Sequence, residues 1–232
     1  MSRLDSAEVD ATYATSQHLR SFVDQHRVLC HPFLALVASG RASPEHLVAW
    51  GLQERHVSYA FPRSIGLLIS CADDFRMRTV LAENLWEEFG EGNPDQAHAV
   101  LLDNLLKSMG VDRDRLDCPP TDGTLAFLKT QRELTTSSAW RGVGAFCYAN
   151  EYLSLTEFRP LEAAVRSRFP TADLSYFTEN MKADTRHTEL LESLIDAAAA
   201  VPSNRADIEY GVSAALDARC RFYDSLAPWG AE

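Results

Sequence analysis

The chain has 232 residues, of which 46% are apolar and 24% charged, and its net charge is −11. Those proportions are ordinary for a folded globular protein, and the absence of any Lys/Arg stripe disfavours nucleic acid, whose binding rests on several cation–phosphate contacts. No run of about 18 apolar residues is present, so no membrane span is expected. Apolar residues recur at helical spacing almost throughout, with no alternating strand pattern. A first helix is predicted from Ala7 to Ser39, broken near His31-Pro32 and stopped by Gly40. Ser43-Pro44-Glu45 opens a second, with Ser as N-cap and Pro at the first helical position, where no amide donor is needed. It continues through Leu47, Trp50, Val57, Ile65 and Leu68. A third runs from Asp74 to Phe89 and ends in the Gly90-to-Pro94 turn, after which Asp95 caps a fourth that reaches Met109-Gly110.

Asp112 to Thr121, with its Pro119-Pro120 pair, reads as a loop. Helices follow at Gly123–Leu134, Ser138–Glu157, Pro160–Arg168, Leu174–Ala200 and Ser203–Leu226, punctuated by Phe169-Pro170 and Pro202. Without repeats or a linker, residues 1–232 read as a single all-α domain. The start, MSRLDSAEVD, lacks the apolar segment of a secretory signal. The five cysteines (Cys30, Cys71, Cys118, Cys147, Cys220) contain no CxxC pair. Reduced thiols and a cytoplasmic location are therefore expected, rather than a disulfide framework or a zinc cluster.

Three groups of residues could carry chemistry. In the Leu174–Ala200 helix, Asp184 and His187 share a face with Asn180, and Leu191 and Leu194 continue that face as an apolar stripe, so the polar pair points inward. In the Ser138–Glu157 helix, Glu151 is the one charged member of a face made by Trp140, Gly144, Cys147 and Leu155. In Trp86–Pro94, a helix ends in acidic residues and a Gly-rich turn reverses the chain towards His98, which lets Glu88 meet His98 across two antiparallel helices. Each group alone fits a bland alternative: a hydrogen-bonded Asp–His pair, a carboxylate at the edge of the core, an exposed acidic helix end. Together they offer three carboxylates and two imidazoles from four helices, the donor mixture that suits non-haem iron. Ferritin-like carboxylate bundles use Glu-x-x-His repeats, and no Glu-x-x-His occurs here, so a different helical scaffold is implied.

At these residues the chain resembles the haem-oxygenase-like di-metal oxidases, relatives of the TenA thiaminases and the pyrroloquinoline quinone synthases. His31-Pro32-Phe33 is similar to the opening of that superfamily. The family's metal pattern places a Glu, a His across a Gly-containing turn, a Glu some fifty residues on, and then a His-x-x-x-Asp-x-x-His helix. Glu88, His98, Glu151, Asp184 and His187 fall into those slots in order. The resemblance implies a haem-oxygenase-like helical bundle that binds two Fe(II) ions and activates dioxygen to oxidise a small amine, amino acid or carboxylic acid in biosynthesis. N-oxygenation and oxidative C–C cleavage are the outcomes it implies, with Glu151 the catalytic ligand. The chain departs from the pattern at Asn180, which stands where the family has its first His. An amide oxygen binds iron less well than imidazole, leaving the second ion weakly held, assembled with substrate, or completed by another group such as Glu54. Glu91 competes with Glu88, which is preferred because a helix fixes its direction. A haem ligand near the N-terminus has only His18 and His26 as loose analogues.

Glu54, Arg55 and His56 lie mid-helix and either form a solvated face or line the same cavity, where Arg55 would meet a substrate carboxylate. Two competing readings stand beside the iron enzyme. One is a metal-free enzyme using Cys147, which lies where TenA-like proteins carry a nucleophile. The other is a non-catalytic helical binding protein, which leaves the inward carboxylates without a cation. A small-molecule substrate and a homodimer are the expected partners.

Overall fold

The computed structural model describes residues 15–226, and all regular structure among them is helical. Helix α1 spans Thr15–Asp24 and turns through residues 25–30 into α2, Pro32–Ala38. The His31 ring accepts the Phe33 amide and caps α2, so the predicted break near His31-Pro32 is a real boundary. The start expected at Ala7 lies outside the described residues. Helix α3, Pro44–Cys71, begins with the expected cap: the Ser43 side chain accepts the His46 amide, and the His46 ring accepts the Ser43 amide in return.

Helix α4 covers Phe75–Glu88 and α5 covers His98–Ser108. Between them lie a tight turn and a short 3-10 segment, Pro94–Gln96. Gly90, Glu91 and Gly92 all take positive φ there, and a Cβ on Gly90 would collide with the Asn93 carbonyl, so this reversal depends on glycine. Asp95 is not the cap that was expected. Asn93 caps the 3-10 segment, and α5 starts after Ala97 with no side-chain cap. The loop at 112–121 contains one helical turn, α6 (Arg113–Leu116), capped by Asp112.

Helix α7, Asp122–Ser137, precedes α8, Ala139–Phe146, a π-helical stretch at Cys147–Tyr152, and α9, Leu153–Arg168. The last three form one unbroken helical rod, whereas a boundary at Pro160 was expected. Pro160 removes one amide donor from the ladder. Thr156, whose carbonyl loses its partner, is exposed, so water can satisfy it and the helix continues. Helices α10 (Ser175–Ala198) and α11 (Pro202–Asp224) complete the bundle.

The core runs continuously between these helices. Trp50 of α3 stacks on Phe177 of α10 at 5.7 Å, and Phe158 of α9 meets both rings edge-on. Helices α8 and α11 cross closely because Gly144 and Gly211 face the backbones of Ile208 and Arg141, where an added Cβ would collide. That crossing draws the C-terminal half of α11 against the bundle interior. None of the helices among the described residues is long and apolar enough to cross a membrane.

Candidate metal centre

Four helical segments converge on a cavity of about 60 Å³, and Glu88, His98, Glu151, Asn180 and Asp184 line it. Glu88 is the last residue of α4 and His98 the first of α5, so the glycine turn between them sets their spacing. His98 Nδ1 lies 2.9 Å from Glu88 Oε1. The approach is poorly aligned, however, and Nδ1 is left without a hydrogen bond. At that distance the pair could hold one cation between them.

Glu151 sits in the π-helical stretch. A widened turn rotates the residues that follow it and occurs often at functional sites. The Asn150 side chain donates to the Ala145 carbonyl within that stretch. Glu151 Oε2 lies 3.2 Å from His187 Nδ1, while Glu151 Oε1 is buried with no hydrogen-bond partner among the described residues. Asp184 accepts a hydrogen bond from the Ser154 hydroxyl, and the negative charge of Glu151 acts on it electrostatically. The far side of the His187 ring is held by Glu87, with Nε2 3.1 Å from Oε2, and Glu87 is in turn clamped by Arg186. A carboxylate behind an imidazole fixes its tautomer and raises its basicity as a ligand.

Glu88, Glu151 and His187 each present one donor atom, and these atoms lie within 4.8 Å of one another. All three residues are buried. Burial, with the negative charges of Glu88 and Glu87 nearby, pushes the Glu151 carboxyl up to about 8. Burial and the Glu151 charge hold Asp184 well above the carboxylate range. His98 is lowered by burial, but the Glu88 and Asp184 charges outweigh that and leave it raised. Buried carboxylates packed this closely are costly unless a cation neutralises them. An oxygen-rich set with two imidazoles fits iron or manganese better than a soft metal.

Asn180 also faces the cavity, and its Nδ2 donates to the Tyr176 carbonyl 2.7 Å away. Glu91 is exposed within the turn and lies on a different surface hollow. His18 is exposed, and His26 lies 3.8 Å from Asp217 at the outer face of the bundle. Cys147 is fully buried behind Glu151 and directs its thiol to the Thr188 carbonyl. Burial and the Glu192 and Glu151 charges raise that thiol well above its ordinary value, the opposite of what a nucleophile needs.

The expectation for Glu54–His56 divides. Glu54 does line the cavity. Arg55 does not: it pairs with Asp103 at 2.6 Å and covers the Tyr59 ring. His56 bonds to the Cys118 carbonyl. One helical step, about 100°, separates these side chains, and only the first of them points inward. The cation at the cavity is instead Arg219 of α11, which bonds Glu54 Oε2 at 2.8 Å and Glu157 Oε2 at 2.9 Å. Sequence reasoning missed Glu87, Ser154, Glu157 and Arg219. Arg219 carried a readable signal, since it interrupts the stripe Leu216, Phe222 and Tyr223, all fully buried.

Residues 48–220 match the family model for iron-containing redox enzymes. The chain is 26% identical over 215 residues to the 4-chloro-allylglycine synthase of Streptantibioticus cattleyicolor, covering 88% of this chain and 79% of that protein. Its fold matches a CADD-like protein of unknown function from Nostoc punctiforme with a TM-score of 0.77 at 21% identity, over 93% of this chain and 96% of that one. A domain of unknown function with a haem-oxygenase-like fold from Shewanella denitrificans superimposes with a TM-score of 0.75 at 17% identity, covering 97% and 93% of the two chains. The chain belongs to the haem-oxygenase-like family of iron-containing redox enzymes, and it is an all-α oxidoreductase.

Proposed function

We propose that the protein is a di-iron oxidase or oxygenase that uses dioxygen to oxidise a small amine, amino acid or carboxylic acid in a biosynthetic reaction. The observation that carries this reading is the buried meeting of Glu88, Glu151 and His187 within 4.8 Å, next to the unpartnered Glu151 Oε1 and His98 Nδ1. Glu88, His98, Glu151, Asp184 and His187 would hold the two irons, with Glu151 as the catalytic ligand. The relative named as a 4-chloro-allylglycine synthase supports an amino acid as the substrate class.

When bound, iron supplies the electrons that activate dioxygen. The chain's own residues prepare the place. Glu87 keeps the His187 ring in one tautomer, and Ser154 fixes the Asp184 carboxyl. Burial favours the protonated forms of Glu151 and Asp184 in the absence of metal, and an entering cation displaces those protons. Val57, Phe61 and Phe158 wall the cavity with apolar surface, which excludes bulk water from the substrate. Asn180, whose amide is a weaker ligand than an imidazole, would leave a second ion the looser of the two. A thiol-based, metal-free reaction has no comparable support, because Cys147 is buried and its thiolate is disfavoured.

Anaerobic addition of Fe(II), followed by metal analysis, tests the reading. Close to two irons per chain, a visible absorption band on admitting oxygen, and loss of both in Glu151→Ala are expected. Equal iron content in wild type and Glu151→Ala would overturn it.

A further inference from the structure

The cavity has a second polar end that the metal ligands do not use. Glu54 of α3, Glu157 of α9 and Arg219 of α11 are all buried there, at 5%, 2% and 4% exposure. Arg219 spends one terminal nitrogen on each carboxylate, and its guanidinium is seated against the rings of Phe222 and Tyr223 at 4.6 and 4.9 Å. Two carboxylates face one guanidinium, and burial raises Glu54 above the ordinary carboxylate range, so the second negative charge of the group is held at a cost that a further cation relieves. Among the described residues Glu157 Oε1 is buried with no well-aligned hydrogen bond, the Tyr223 hydroxyl being the one donor that approaches this carboxylate besides Arg219, and Glu157 lines the cavity. A buried acceptor without a donor costs free energy unless something completes it.

We propose that this end of the cavity receives the ammonium group of the substrate, which completes the charge balance of Glu54, Glu157 and Arg219. The assignment rests on the reading of the cavity as the substrate chamber of the iron enzyme, and it selects amines from the wider substrate class. An ammonium group brings a single positive charge and three donors, one of which meets Glu157 Oε1. The aromatic walls Phe61, Phe158 and Tyr176 suit a cation as well, because ring faces attract one. A substrate carboxylate fits poorly. To reach Arg219 it must displace Glu54 or Glu157 and leave that carboxylate buried and unpaired.

The position also sets a reach. Glu151, Ser154 and Glu157 lie along one face of the same helical rod, and six residues separate the two glutamates, roughly 9 Å along the axis at 1.5 Å per residue. An ammonium held at Glu157 therefore presents to the metal centre a carbon several bonds away, not the carbon that bears the nitrogen. Arg219 acts here as a positioning residue that orients both carboxylates.

The test is calorimetric titration of anaerobic, iron-loaded protein with ethylammonium, butylammonium and hexylammonium chlorides, and with butyrate and hexanoate as sodium salts. Iron content is measured in the same samples. Butylammonium and hexylammonium binding is expected, with affinity reduced roughly tenfold or more in Glu157→Gln and in Glu54→Gln, the loss typical of a charged hydrogen bond. In each variant Arg219 keeps one carboxylate partner, and thermal melting confirms that the protein stays folded. Unchanged ammonium affinity in both variants, or binding of the carboxylates alone, overturns the assignment. Iron retained without ammonium binding refutes this pocket and leaves the oxidase reading standing. Glu157-dependent ammonium binding in a protein that holds no iron supports the pocket and refutes the oxidase reading.

Discussion

Replacing Arg219 by Met tests how the interior of this bundle tolerates charge. Met matches the length of the Arg stem and keeps much of its packing against Phe222 and Tyr223, so the change is chiefly electrostatic. It leaves Glu54 and Glu157 buried without a cation, and both had been bonded to Arg219 at under 3 Å. Removing one partner of a buried ion pair costs about 3–5 kcal/mol. That is a large share of the roughly 5–15 kcal/mol that holds a domain folded. Glu54 already sits above the ordinary carboxylate range because of burial, so part of the cost is relieved by taking up a proton, which puts the loss at about 3 kcal/mol. In a chain of this size each kcal/mol moves Tm by about 2–4 °C, so a fall of roughly 6–12 °C is expected. Urea denaturation at pH 7, followed by far-UV circular dichroism, measures it. The triple variant Arg219→Met, Glu54→Gln, Glu157→Gln removes the stranded charges and should recover most of the loss. If Arg219→Met unfolds within 1 kcal/mol of wild type, or the triple variant is no more stable than the single one, the electrostatic account of this site is wrong.

Metal-free protein in chelator should lose stability as pH rises from about 5 to 8. Burial lifts the folded Glu151 carboxyl from 4.5 to about 8, so the folded state binds the extra proton and its advantage disappears as that proton leaves. Glu151→Gln should flatten this slope in urea melts and be the more stable protein at pH 8 without metal. Asn180→His supplies an imidazole where the cavity now has an amide, and isothermal titration with Fe(II) or Mn(II) should show the second ion tightened relative to the first. An unchanged second affinity would show that position 180 does not face a metal. Cys147→Ala should keep its iron content, and native wild type should resist iodoacetamide at Cys147, as mass spectrometry of the digested protein would reveal. Rapid alkylation there would contradict the burial of the thiol.

The helical class was legible because a 3.6-residue apolar period is a local property of the chain, and so were Ser43 as a cap and the glycine turn after Glu88. The inward faces of α10 and of the rod carrying Glu151 followed from the same periodicity, and the glycine turn put Glu88 opposite His98. Those local signals singled out Glu151, Asp184, His187, Glu88 and His98, and the family resemblance joined them into one set. Periodicity does not register a widened turn, since one extra residue in a hydrogen-bonded ring leaves no mark on composition. The π-helical stretch at Cys147–Tyr152 was invisible for that reason, as was the continuity of the helix through Pro160. It also cannot say which of three consecutive polar residues points inward, and this is why Glu54, Arg55 and His56 were left between a solvated face and the cavity.

Sequence by itself determined a helical protein with carboxylates and imidazoles on buried faces. Only the tertiary structure decided their company: Glu87 behind His187, Ser154 on Asp184, and Arg219 between Glu54 and Glu157. Those pairings join residues 30 to 165 positions apart. They depend on helix crossings such as that of α8 with α11, set by side-chain volumes and by two glycines at once. Local pattern carries the direction of a side chain, whereas the meeting of distant side chains is fixed by packing, and packing is a property of the whole fold.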